Sequence, residues 1–455
     1  MKRFVLVLMA LGLAATTLFG QSSAALSLND CIKIALENNS TLRIAEQRYQ
    51  SAGTSVTSAT SAMLPRVNSS FSTGRYIQGA RVLKTDVPKG IDPATGRVIY
   101  EQQEIYQQST SRDAHGARVS LSQSFLDLES VYGIKQAKTA EQAAAHSAKS
   151  TRQSVILSVQ EAYYELLKAY RLLSVYEEAV KQAEEEVSRA QARVDIGISS
   201  QAEVFQAKVN LGTQRTNLIN QENIIALDKA NLNNAMARDT NAAVDIAEDK
   251  SEPTFPSVSY DDAVKAVLQN NEELKAMALD IKTSWYGVRM ARARYMPTIG
   301  GNISYTRNND DIGRVYSSKL DQDYSASLGA QLDLNLFNGL ADKAGVQRAM
   351  INNDIAQESY NDRQRTIIAQ VKQVFLQLEA YKDILDINQQ NIDAARENLR
   401  LQLEKRRVGS GTELEVTQAQ VELTRAQSNY VRAEYDTKIT KAQLETIMGV
   451  VDTNN

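Results

Sequence analysis

Two runs of 63 residues, 134–196 and 346–408, contain neither glycine nor proline. Proline inside a helix costs roughly 3 kcal/mol and glycine about 1 kcal/mol relative to alanine, so runs this clean predict helices. A continuous helix of this length reaches about 95 Å at 1.5 Å per residue, well beyond the helices of ordinary globular domains. The apolar residues agree. Val159, Leu166, Leu173, Val180, Val187 and Val194 recur every seven residues, and Val371, Leu378, Leu385, Ile392 and Leu399 do the same. A sustained seven-residue period is the pattern of helices packed side by side in coiled-coil fashion. Gly197 and Gly409 end the runs and predict turns into returning helices over about 201–237 and 413–448.

The two runs belong to a duplication. Residues 26–76 lie over 258–308 at a constant offset of 232, which superposes Pro65 on Pro297 and Asn38-Asn39 on Asn270-Asn271. Further on the offset falls to 212, pairing Gly133 with Gly345 and Gln206-Ala207 with Gln418-Ala419, so the first copy holds 20 extra residues. A repeat this long is a duplicated half-molecule and not a short solenoid unit. The domain reading is a leader over 1–24, a first copy over 25–248, a linker over 249–257 carrying Pro253 and Pro256, and a second copy over 258–455. Within each copy the long helix needs more cover than its return helix supplies. Residues 28–63 and 260–296, stacked end to end with the return helices, are expected to provide it.

After Pro65 and Pro297 the period changes from seven to two. Val67, Phe71 and Thr73 alternate with Asn68, Ser70 and Ser72; Ala117, Val119, Leu121 and Phe125 alternate with Arg118, Ser120, Ser122 and Ser124. In the second copy Ile299, Ile303 and Tyr305 oppose Asn302, Ser304 and Thr306, and Ala326, Leu328, Ala330, Leu332, Leu334 and Leu336 oppose Ser325, Ser327, Gly329, Gln331, Asp333 and Asn335. These are hairpins over 66–127 and 298–338, in strands of about ten residues that are apolar on one face. The same pattern suits a half-buried sheet or a membrane barrel with lipid outside and water inside. If it is a barrel, four strands cannot close it, and an open edge is forbidden in lipid because its backbone groups stay unpaired. Two copies would supply eight strands and three copies twelve. The extra residues fall in 77–116, expected to be a long loop outside the cell.

Other classes are excluded. One cysteine and two histidines supply neither a disulfide framework nor a structural zinc site. A formal charge of -3 gives no footprint for nucleic acid. Lys2-Arg3, the apolar run 4–13 and Ser22-Ser23-Ala24 have the layout of a secretory signal peptide, cleaved after Ala24. No catalytic constellation, metal site or cofactor motif is found. His115 and His146 read as solvated, and Cys31, aligned with Ala263, reads as a small packed side chain. Trp285 is left undecided between core and surface.

The segments 26–39 (LSLNDCIKIALENN) and 258–271 (VSYDDAVKAVLQNN), the strand-entry prolines, and the turns 197–207 (GISSQAEVFQA) and 409–420 (GSGTELEVTQAQ) together resemble the TolC-type outer-membrane efflux protein family over the whole mature chain. The resemblance implies a mainly α fold with a transmembrane β-barrel portion: long antiparallel helices in a trimeric α-barrel, and four strands per chain in a shared twelve-stranded barrel. It implies a homotrimer in outer-membrane lipid, working as a passive exit duct with a periplasmic adaptor (a membrane fusion protein) and an inner-membrane pump. It also implies roles for the turns. Ile196, Gly197, Ile198 and Ser199 resemble the family's adaptor-docking motif, and Val408, Gly409, Ser410 and Gly411 occupy the matching place but depart from it. Glu203 and Glu415, with Gln206 and Gln418 three residues on, fall where the family's periplasmic aperture forms. Arg406 stands in the heptad series where the first copy has Val194, and is expected to act as a latch on Glu415 or a neighbouring chain. The alternative is a periplasmic coiled-coil adaptor or rod, which would share the helices and lack the strands.

Overall fold

The computed structural model describes residues 25–249 and 251–450; the leader expected over 1–24 lies outside them. The first copy runs α1 (Leu28–Asn38), α2 (Ser40–Ser61), β1 (Arg66–Gln78), β2 (Arg81–Ile91), β3 (Val98–Gln107), β4 (Thr110–Leu126), α3 (Leu128–Asp195) and α4 (Gln201–Ala235). The second runs α5 (Tyr260–Asn270), α6 (Glu272–Ala293), β5 (Thr298–Asn309), α7 (Ile312–Val315), β6 (Tyr324–Asp333), α8 (Ala341–Arg407) and α9 (Glu413–Ile447). The long helices α3 and α8 hold 68 and 67 residues. Both begin before the glycines that bounded the sequence expectation. Asp127 starts α3 by accepting the Ser130 amide at 3.2 Å, and Gly133 and Gly345 are carried inside the helices.

Two compact units arise from this order. The helical unit comprises the described residues of Met1–Gln50, Gln142–Leu279 and Gln357–Asn455. Its core is written twice. Cys31 and Ala35 of α1 pack with Val159 and Leu166 of α3 and Leu232 of α4. Their repeat partners Ala263 and Val267 of α5 pack with Val371 and Leu378 of α8 and Leu444 of α9. Cys31 is fully buried, as a small packed side chain should be.

The end-to-end cover is visible at the second copy. The Asn271 side-chain nitrogen donates to the Ile447 carbonyl at 3.0 Å, and Gly449, at φ +68°, lies so close that a Cβ there would meet the Asn270 carbonyl oxygen at 2.7 Å. The covering helices are nevertheless broken where one helix was expected. Asn39 and Asn271 are extended, at ψ 120° and 118°. Their side chains cap the next helix, Asn39 accepting from the Thr41 amide and Asn271 from the Leu274 amide. Asparagine is among the best helix N-caps, so the paired asparagines were a boundary signal. His146 is not solvated either: its Nδ1 lies 2.6 Å from Glu272.

The strand unit comprises Ser51–Glu141 and Asp280–Ala356. An antiparallel sheet runs in the order β1-β4-β5-β6. Its register aligns Val67, Leu121, Ile303 and Leu328 in one row, and Asn68, Ser120, Ser304 and Ser327 in the next. Burial is inverted relative to a water-soluble sheet. Ile303 is 49% exposed and Leu328 82%, while neighbouring Ser304 is 7% exposed and shares a 2.8 Å hydrogen bond with Ser327. Residues Leu334 and Leu336, expected in the last strand, lie beyond it, because the pairing stops at Thr298↔Asp333 where Pro297 ends the partner strand. The expected loop 77–116 is mostly strand: β2 and β3 form a second, two-stranded sheet. His115 bonds Thr73 at 2.8 Å, and Trp285 is a surface residue, 42% exposed, with the Arg289 guanidinium 4.7 Å from its ring centre.

Candidate functional site

The two turns of the helical unit share one construction. At the first, the Ile198 amide donates to the Arg193 carbonyl at 3.0 Å and the Gly197 amide to Val194 at 2.9 Å. At the second, the Ser410 amide donates to Lys405 at 3.0 Å and the Gly409 amide to Arg406 at 3.1 Å. This is the paired hydrogen bond of a helix closed by a left-handed residue, and Gly197 and Gly409 supply it at φ +79° and +81°. The turns then diverge. Gly411, where the first copy has Ser199, folds onto the end of α8, and a Cβ there would meet the Arg406 nitrogen at 2.9 Å. We expect Gly411→Ala to lower the thermal midpoint more than Gly197→Ala. The first adds a backbone collision, whereas the second adds only left-handed strain, worth about 1–2 kcal/mol. Circular dichroism melts of the two variants test this order.

The return helices start differently as well. Thr412 and Glu415 form a capping box: Glu415 accepts from the Thr412 amide at 2.8 Å, and the Glu415 amide donates to the Thr412 hydroxyl at 3.3 Å. The Thr412 amide foremost, and then its hydroxyl, which donates to the same carboxylate at 3.0 Å, hold the Glu415 carboxyl below its usual pKa. Its repeat partner Glu203 instead accepts from the Ser199 hydroxyl. Gln206 and Gln418 are exposed, and so are the apolar tip residues Ile196 at 70%, Ile198 at 62% and Val408 at 70%.

Arg406 does not bond Glu415, whose carboxylate is held by the cap of its own helix. It lies between Glu186 of α3 and Glu413 of α9, donating through both terminal nitrogens to Glu186, one at 3.2 Å, and to Glu413 at 2.9 Å. The side chains are 10%, 1% and 4% exposed. Glu186 also accepts from Arg189. Two carboxylates facing one guanidinium titrate apart. Burial, and then the charge of Glu186, raise the pKa of Glu413 above its ordinary 4.5. Burial opposes ionisation of Glu186 too, but the hydrogen bonds from Arg406 and Arg189 outweigh it and bring its pKa below 4.5. Repeat symmetry is broken at every member: Glu186, Arg406 and Glu413 have Asn398, Val194 and Gln201 as counterparts. The triad thus ties the two copies together near the turns. Sequence reasoning found Arg406 and missed both partners. Glu413 lay one residue past the turn, and Glu186 lies 220 residues from Arg406.

The sequence profile of the outer membrane efflux protein family matches residues 31–238 and 263–450. The chain belongs to that family. Outer membrane efflux protein BepC of Brucella suis is 22% identical over 445 residues, covering 98% of this chain and 90% of the relative. Alkaline protease secretion protein AprF of Pseudomonas aeruginosa is 22% identical over 447 residues, covering 96% and 87%. Among solved structures, the outer membrane protein VceC of Vibrio cholerae superposes with a TM-score of 0.77 at 17% identity, over 93% of this chain and 96% of that one. This outer membrane efflux protein is therefore an outer-membrane exit channel whose helices extend into the periplasm. A rod without a membrane barrel is set aside by the four paired strands and their outward apolar rows.

Proposed function

We propose that three copies of this outer membrane efflux protein form a duct that receives solute from a periplasmic adaptor and an inner-membrane pump and passes it out without chemistry. The inverted sheet carries the reading. Its apolar face suits lipid, its polar face suits a water-filled lumen, and β1 and β6 each leave an edge that lipid does not tolerate open. Three four-stranded sheets make twelve strands, each β1 edge meeting the β6 edge of the next copy.

The helix turns are the entry. Exposed Ile196, Ile198 and Val408 are apolar anchors for adaptor hairpins, which would bury them on docking. Glu203, Gln206, Glu415 and Gln418 line the narrow end, and the Arg406 triad holds it shut. BepC is named for efflux and AprF for protease secretion, which supports a duct whose solute class is set by the pump it serves. A photoreactive benzoylphenylalanine at Ile198 is expected to yield a crosslinked product with a periplasmic adaptor, identifiable by mass spectrometry. The same group at Trp285, in the strand unit, is expected to give none. Adaptor adducts at Trp285 with none at Ile198 would refute the docking assignment.

A further inference from the structure

The hairpin β2–β3 continues β1–β4. The first sheet's pairing ends at Gln78↔Thr110, and the second begins at Arg81↔Gln107 in the same register. The shorter hairpin β5–β6 goes no further than Arg307↔Tyr324, and β4 leaves β5 at His115↔Asn309. Everything from Gly74 through the Asp92–Arg97 turn therefore rises past its neighbours, and β2 alone, with 11 residues, adds roughly 35 Å of strand. Among the described residues, β2 and β3 pack chiefly on each other. A lone two-stranded hairpin is marginal in water. This one nonetheless exposes Val82, Tyr100 and Tyr106 on one face and Leu83, Ile99 and Ile105 on the other.

What covers it is constrained by charge and position. Residues 81–107 carry four basic and four acidic side chains. Two of the cross-strand pairs neutralise each other, Lys84–Glu104 at 3.5 Å and Lys89–Glu101 at 3.1 Å. Such a surface has no net attraction for lipid phosphate or acidic polysaccharide, and the unsatisfied area is apolar. Position points to a second copy: β2 extends β1, the edge strand that must pair with the next chain for the barrel to close. We propose that the β2–β3 hairpins of adjacent copies pack face to face at each subunit junction, forming a collar that continues the duct outside the membrane. The proposal rests on the trimeric reading above.

The test is a distance between copies in the full-length protein in nanodiscs. Ala94→Cys, in the turn, carries a nitroxide, with Gln103→Cys as a second site; buried Cys31 is replaced by alanine, the residue of its repeat partner. Double electron–electron resonance on the collar gives one narrow distance distribution at each site. Adding Tyr106→Asp broadens it while the particle stays trimeric by size exclusion. A trimer with a broad distribution at both sites overturns the collar and leaves the trimer standing, as hairpins awaiting a foreign protein or lipid would. A monomer on the column overturns both.

Discussion

Arg406→Ala is expected to raise single-channel conductance in planar bilayers and to destabilise the helical unit. The substitution leaves Glu186 and Glu413 buried in one pocket with no cation between them, apart from the half-exposed Arg189 on one side. Removing one partner of a buried ion pair costs about 3–5 kcal/mol, mostly because the remaining charge stays desolvated. A replacement that removes all the charges, Glu186→Gln with Arg406→Met and Glu413→Gln, should recover much of that stability, since apolar or neutral substitutes for buried ion networks are often tolerated. Unchanged conductance in Arg406→Ala would sink the latch, even if stability falls.

The triad also sets a pH dependence with a definite sign. Glu413, with its pKa raised, contributes stability that is present at low pH and lost as pH rises through its folded value. Glu186, with its pKa lowered, contributes stability present above the ordinary 4.5 and lost as pH falls through its folded value. Acidification from neutrality first protonates Glu413 and relieves its repulsion with Glu186; further acidification removes the Glu186 charge. The difference in thermal midpoint between the natural protein and the triple variant should therefore peak on the acid side of neutrality and fall again below the carboxylate range. A flat difference between these limits would contradict the assigned shifts.

The second large effect is expected on the sheet. Leu328→Arg places a charge on the exposed apolar face, midway along β6. An arginine facing lipid at mid-membrane costs about 2–4 kcal/mol in a barrel, and three copies suffer it together. Outer-membrane levels and detergent-resistant oligomer should drop severely. Asn68→Arg, one row away on the polar face, should leave both nearly unchanged. Equal loss in the two variants would mean that lipid and lumen have been assigned to the wrong faces.

Much of this fold can be read in the sequence because its elements are long and periodic. Seven-residue spacing from Val159 to Val194 locates α3, and two-residue spacing from Ala326 to Leu332 locates β6 and its lipid face. Errors arose where a local cue had two readings. Asn39 and Asn271 sit inside amphipathic helical patterns yet start new helices, because their side chains can cap. The stretch 77–116, which carries Pro88 and Pro93, reads as a loop, but Pro88 lies at a register shift and Pro93 in the turn, so neither interrupts the ladder. The site was half legible. Gly197 and Gly409 follow from helix-ending chemistry, whereas the partners of Arg406 are set by the packing of α3 against the second copy's helices, which no local period records.

The most direct test of the central claim is the mass of the protein extracted by mild detergent from the outer-membrane fraction, read by native mass spectrometry and by crosslinking before extraction. A twelve-stranded duct predicts a single species of three chains and a crosslinking ladder that stops at three. A monomer, or a protein recovered in the soluble fraction, would contradict it.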